Sequence, residues 1–143
     1  MTLERLLDVT WLAVKDGDER AKALYDRHYS ARRYRDGRWS PLFVGPGEKM
    51  VLLTPECDAL FVWHKFVDPS GQQGVNCSIF RNESERLSSE MILDAEELAW
   101  ARWPGERLYT YVNAAKIRST NPGYCYKMAG WRECGTTKGG LVI

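Results

Sequence analysis

Between Lys49 and Phe80 the chain carries three closely spaced runs of apolar, β-branched and aromatic residues: Met50 to Thr54, Ala59 to Phe66 and Val75 to Phe80. They are separated by Pro55-Glu56 and by Asp68-Pro69-Ser70-Gly71, both turn-forming sequences. Three strands in immediate succession predict an antiparallel meander, and the rest of the chain must fold around it. Upstream, Val9 to Val14 reads as a strand that stops at Lys15-Asp16-Gly17-Asp18. Asp18 is a suitable N-cap, and Ala21, Leu24, Tyr25 and His28 recur at helical spacing, which predicts a helix over Glu19 to Tyr29. Ser30 to Ser40 is polar and arginine-rich and reads as a loop, alone or with a short helix.

Downstream, Ser84 or Ser88 can cap a helix whose stripe is Met91, Ile92, Ala95, Leu98 and Ala99 and which ends before Pro104-Gly105. Leu108 to Val112 predicts another strand. Asn121-Pro122 has the form of an N-cap followed by proline at the first helical position, and a short helix should run to Ala129 before Gly130 stops it. Trp131 to Gly135 and Leu141-Val142-Ile143 read as last strands. The order is that of a mixed α/β (α+β) fold with an antiparallel first half, a crossover second half and flanking helices.

A length of 143 residues suits one domain, taken here as 1–143, and 44% hydrophobic with 27% charged residues is ordinary for a globular chain. No apolar run approaches the roughly 20 residues needed to cross a bilayer, and the N-terminus lacks the pattern of a signal peptide, so a cytoplasmic location with no membrane partner is expected. Cys57, Cys77, Cys125 and Cys134 form no Cys-x-x-Cys pair, and buried free thiols at Cys57 and Cys77 are expected in preference to zinc. The net charge of +1 conceals an acidic stretch from Glu83 to Glu97 and basic ones from Arg27 to Arg38 and Lys116 to Lys138.

Arg32, Arg33, Arg35 and Arg38, interleaved with Tyr29, Tyr34 and Trp39, suit phosphate contact and base stacking, as a protein acting on a base in DNA would need. The alternative is a solvated loop. His28 is either a base or ligand beside this cluster, or a helix-end histidine facing the C-terminal dipole. His64, among Phe61, Val62, Trp63 and Phe66, reads as structural.

The segment Asn121-Pro-Gly-Tyr-Cys-Tyr-Lys-Met-Ala-Gly-Trp131 resembles the last helix of GNAT (N-acetyltransferase-like) proteins. In that family the tyrosine matching Tyr126 protonates the thiolate leaving group; the alternative places the Tyr126 ring in the core with its hydroxyl exposed. Within that family the nearer resemblance is to phage Mom-type proteins that modify adenine in DNA. It rests on His28-Tyr29, on Arg81, on Thr110-Tyr111-Val112-Asn113, and on the series Gly123, Tyr126, Trp131 and Gly135.

The resemblance implies a transferase of phage or prophage origin that adds a small acyl-derived group to the exocyclic amine of adenine. His28, Tyr29, Asn113 and Tyr126 would line its pocket. Arg81, Asn82, Ser88, Ser89 and Asn121 would hold an acyl donor such as acetyl-CoA, and Arg32, Arg33, Tyr34, Arg35 and Arg38 would grip DNA.

Two departures stand out. Asn113 replaces the family carboxylate, so it can be no general base and is a poor metal ligand, which speaks against the iron ion suggested for the family. The stretch Arg81-Asn-Glu-Ser-Glu-Arg-Leu-Ser-Ser89 has no glycine, whereas acetyltransferases wrap the CoA pyrophosphate in a glycine-bearing loop at a helix N-terminus. Ser88, Ser89, Arg81 and Arg86 remain as groups able to meet an anion. Two further readings stay open: a GNAT acetyltransferase for a small-molecule or protein amine, and a non-catalytic GNAT-like binding protein.

Overall fold

A computed structural model describes residues 10–28, 42–113 and 123–137. Their elements are β1 (Leu12–Val14), α1 (Glu19–Asp26), β2 (Glu48–Leu53), β3 (Ala59–Lys65), β4 (Val75–Asn82), α2 (Ser88–Arg102), β5 (Leu108–Thr110) and α3 (Tyr124–Met128). The strands form one sheet in the order β1-β2-β3-β4-β5. The first four pair antiparallel, β2 to β4 in immediate succession and β1 from before the α1 excursion, and β5 joins β4 in parallel after the α2 crossover. The expected mixed α/β architecture, with its antiparallel first half and flanking helices, is the one observed.

Alternation along the strands divides the core in two. Phe61, Trp63, Val75 and Cys77 point to one face, where Met91, Ile92, Ala95 and Ala99 of α2 cover them. Val51, Leu53, Leu60, Val62 and Ile79 point to the other, beneath Ala21, Leu24 and Tyr25 of α1. The small residues Ala95 and Ala99 let α2 approach closely enough for Trp63 Nε1 to donate to the Ala95 carbonyl at 2.9 Å, while Trp11 Nε1 donates to that of Met91 at 3.0 Å. Burying an aromatic side chain of this size is worth about 1.5–3 kcal/mol, so Phe61 and Trp63, both fully enclosed, are among the main contributors. Leu98, expected in the α2 stripe, is exposed, and Ser89 is buried instead.

Asp18 caps α1 as expected, accepting from the amides of Arg20 and Ala21 at 3.0 and 3.3 Å. The α1 helix stops at Asp26 rather than Tyr29, and His28 lies in the closing turn, its amide donating to the Tyr25 carbonyl. The start of α2 differs from expectation as well. Leu87 holds the cap position without a side-chain bond, because the Ser88 hydroxyl accepts from Asn82 Nδ2 at 2.9 Å. Residues 131–135, expected as a strand, form none. Trp131 instead packs back on Tyr126 and Trp63, with its amide held by the Tyr126 carbonyl. Of the buried thiols expected, Cys77 is enclosed, whereas Cys57 is half-buried in the β2–β3 turn at φ 59°. No helix among the described residues is long and apolar enough to cross a membrane.

Candidate functional site

The parallel strands β4 and β5 are paired over three residues only, from Val75↔Leu108 to Cys77↔Thr110. Beyond Cys77, β4 runs on to Asn82 while β5 ends. A β-bulge marks the same place. On β3 the partners of Val62 and Trp63 are Ile79 and Cys77, which leaves Ser78 as an extra residue. Bulges bend a strand and re-aim its side chains, and this one changes the face of β4 where it leaves β5. Before the bulge Cys77 faces α2; after it Phe80 does, while Ile79 joins the α1 side.

Tyr126 of α3 sits against this parting. Its hydroxyl is 3.4 Å from Cys77 Sγ, and its ring lies between Phe80 (6.3 Å between centroids) and Trp131 (5.0 Å). The alternative with ring inside and hydroxyl outside is therefore corrected: the hydroxyl is the enclosed end and the ring is half-buried. Enclosure raises the Tyr126 phenol well above its ordinary value, with Cys77 adding to the shift, so it keeps its proton at neutral pH. Burial likewise pushes the Cys77 thiol up to about 12, which makes it an inert thiol and no nucleophile. Thr110 completes the cluster by donating to the Cys77 carbonyl at 2.7 Å.

Gly123, at φ +77°, precedes α3 in a left-handed conformation suited to glycine, and a Cβ there would stand 3.5 Å from Val112. This places α3 beside the end of β5.

The C-terminal end of β4 meets the end of α1. His28 is half-buried against Arg81 and bonded to the Phe80 backbone. Burial first, and the Arg81 charge second, lower its pKa from the ordinary 6.5 to about 4. His28 is thus neutral at physiological pH, suited to hydrogen bonding or ligation and weak as a proton acceptor. Phe80 links both halves of the site, touching His28 through its backbone and Tyr126 through its ring.

Arg81 does not stand ready for an anion. Its Nε donates to Glu83 at 2.6 Å and its guanidinium reaches the Arg27 carbonyl at 2.9 Å. Arg27 holds the same carboxylate with two bonds at 2.7 and 2.8 Å. Arg27 and then Arg81 keep the Glu83 carboxyl down at about 2. Asn82 is also engaged, donating to the Arg86 carbonyl at 2.8 Å and to Ser88. Ser89 is buried. The residues expected to cradle a CoA pyrophosphate therefore brace one another, and this loop does not fit that group.

Of the other expected residues, Asn113 is half-buried just past β5. Tyr29, Arg32, Arg33, Tyr34, Arg35, Arg38 and Asn121 lie outside the described residues.

Two features went unnoticed in the sequence. A cavity of about 290 Å³ opens beside Tyr126, lined by Trp100, Leu108, Thr110, Trp131 and Glu96. Burial raises the Glu96 carboxyl, opposed by the bond it accepts from the Trp131 indole. The other feature is Asp68, which accepts from the hydroxyls of Tyr109 at 2.7 Å and Tyr111 at 2.6 Å and from the Ser70 amide at 2.8 Å. Its burial acts to raise the carboxyl, but the Tyr111, Tyr109 and Ser70 bonds together hold it below the ordinary value. Neither carboxylate has a local signature, because each acquires its role from partners at least 35 residues away, apart from Ser70.

The chain matches no protein-family model, no curated protein and no solved structure.

Proposed function

We propose that this protein is a Mom-like transferase that adds a small acyl-derived group to the exocyclic amine of adenine in DNA. One observation carries the reading. Residues of the four sequence places that resemble Mom-type proteins pack along β4 from Cys77 to Arg81: His28 and Arg81 at the end of α1, Thr110 and Tyr126 on Cys77 on the α2 side, and Gly123 against Val112, with Phe80 between the two groups. They are scattered over about a hundred residues of sequence and are brought to β4 by the packing of α1 and α3 and the pairing of β5.

In this reading Tyr126 is the proton donor to the leaving group. Its phenol is protonated across the neutral range and so carries the proton this role transfers. The adenine amine attacks the acyl carbonyl and loses a proton as the new C–N bond forms, while the bond to the carrier breaks and the carrier takes a proton. His28, neutral beside Arg81, orients the reacting groups by hydrogen bonding rather than holding the proton. Because residues 81–89 brace one another, no pyrophosphate contact is assigned to Arg81, Asn82 or Ser88.

A second reading, a non-catalytic GNAT-like binding protein, draws support from the same self-engaged loop and from the contact of the Tyr126 hydroxyl with Cys77. Mass spectrometry of nucleosides from plasmid DNA separates the two. A host expressing the protein should yield a new adenine-derived mass that is absent with Tyr126→Phe. Unmodified DNA in both hosts would count against the transferase, and stabilisation of the fold by acetyl-CoA but not by DNA would transfer the reading to an amine acetyltransferase.

A further inference from the structure

The solvent side of α2 carries two large apolar residues where a surface helix ordinarily carries polar ones. Leu93 and Trp100 are each 44% exposed. They stand seven residues apart, two turns of helix or about 10 Å along its axis. Glu90 and Glu97, both exposed, repeat at the same interval, so the outer side reads Glu90, Leu93, Glu97, Trp100 in steps of three, four and three. A period of seven along one row is the spacing at which one helix seats against another.

The row is held in a fixed form. The Trp100 indole donates to the Glu106 carbonyl at 2.8 Å, which orients the ring while leaving nearly half of it in water. Tryptophan is enriched among the side chains that carry the binding energy of protein interfaces. The carboxylates of the row lack partners. Among the described residues no cation meets Glu90 or Glu97, since Arg86 turns to Glu56 at 3.8 Å and Arg102 to Glu48 at 3.9 Å and to the Lys49 carbonyl at 3.0 Å. Arg107, Lys127 and Arg132, on the cavity side of Trp100, reach neither carboxylate. Asp94, beside the row, accepts from Thr10 at 2.7 Å and likewise meets no cation.

We infer that the outer row of α2 is a docking surface for a basic amphipathic helix of a partner protein, with lysine or arginine opposite Glu90 and Glu97 and apolar side chains over Leu93 and Trp100. Charge decides among the occupants. A second copy offering the same row would set each carboxylate against a like charge or an apolar side chain, and both arrangements cost free energy. Phosphate-bearing surfaces, whether nucleic acid or anionic membrane, meet the same repulsion. A cationic helix covers the apolar pair and also gives each carboxylate a partner. None of these residues belongs to the parting of β4 from β5, so the inference stands apart from the transferase reading.

The test uses the full-length protein and a synthetic helical peptide in which lysine and leucine repeat at the spacing of Glu90, Leu93, Glu97 and Trp100. A control peptide has glutamate in place of lysine. In spectra of the ¹⁵N-labelled protein the lysine peptide should shift the Trp100 indole N–H resonance saturably, and the control should not. The double change Glu90→Gln with Glu97→Gln should weaken that binding at least about tenfold, the loss expected when charge pairs are removed from an interface. Both positions are exposed, so the melting temperature should stay near that of the wild type. Trp100→Ala should weaken binding at least as much. Absence of a saturable shift overturns the inference, as does equal binding of the control peptide or undiminished binding by the folded double variant. A wild-type chain that sediments as a dimer and separates on Trp100→Ala also overturns it, because a second copy would then hold the row. If Trp100→Ala does not fold, the double variant decides alone.

Discussion

Removing one oxygen from Tyr126 separates chemistry from packing more cleanly than any other change in the site. Tyr126→Phe keeps the ring between Phe80 and Trp131 and loses the contacts of the hydroxyl with Cys77 Sγ at 3.4 Å and with the Thr110 side chain. A neutral hydrogen bond contributes about 0.5–1.5 kcal/mol, and one to sulfur at this distance belongs at the lower end. Cys77 Sγ also retains the Ile79 carbonyl at 3.7 Å, and Thr110 retains the Cys77 carbonyl at 2.7 Å. The expected loss is therefore under about 1 kcal/mol, or about 3 °C in melting temperature for a chain of this size.

Transfer of the proton to the leaving group is a different matter, since a positioned general acid contributes about 10²–10⁴-fold to the rate. The assay is the yield of modified adenine per unit of expressed protein, measured with a melting curve for each variant. A large fall in modification with a melting temperature within a few degrees supports the general acid. An unchanged yield refutes it, and a melting temperature lowered by about 10 °C or more would show that the hydroxyl serves the fold.

The folded chain holds His28 at a pKa of about 4 against an ordinary 6.5, so the unfolded chain binds the extra proton between those values. The stability this histidine contributes is complete above about pH 6.5 and declines as pH falls towards 4; urea midpoints across that window should show the slope, and His28→Asn should flatten it. A Cβ on Gly74 would lie 2.0 Å from the Arg107 carbonyl oxygen at φ +118°, where Val75 N meets the same carbonyl. Gly74→Ala should thus destabilise by more than about 3 kcal/mol, and a urea midpoint near that of the wild type would contradict the contact. Asp68→Ala leaves the hydroxyls of Tyr109 and Tyr111 without their acceptor and should cost about 2 kcal/mol, with Tyr111→Phe alone costing less because Tyr111 is the more exposed of the two.

What the amino-acid order determined by itself is the antiparallel meander and the places of the helices that flank it. Period-two runs and short turns at residues 50–80 specify an antiparallel meander, the Asp18 cap starts α1, and the spacing of Met91, Ile92, Ala95 and Ala99 marks the buried side of α2. These are local signals, read within a turn or two of the chain. The site was legible only as residue names in order, and their consequences depend on neighbours distant in sequence.

Arg81 looked like an anion ligand, yet it is tied to Glu83 and to the Arg27 carbonyl across the gap between β4 and α1. The Tyr126 hydroxyl turned inward because the bulge at Ser78 brings Cys77 and Phe80 to the same face. Trp131 left the expected strand because Trp63, Tyr126 and Glu96 together offer its indole more contact and a hydrogen-bond acceptor than a sheet edge would. Hydrogen-bond satisfaction, charge pairing and desolvation are set by which groups meet in space, and only the tertiary structure decided that.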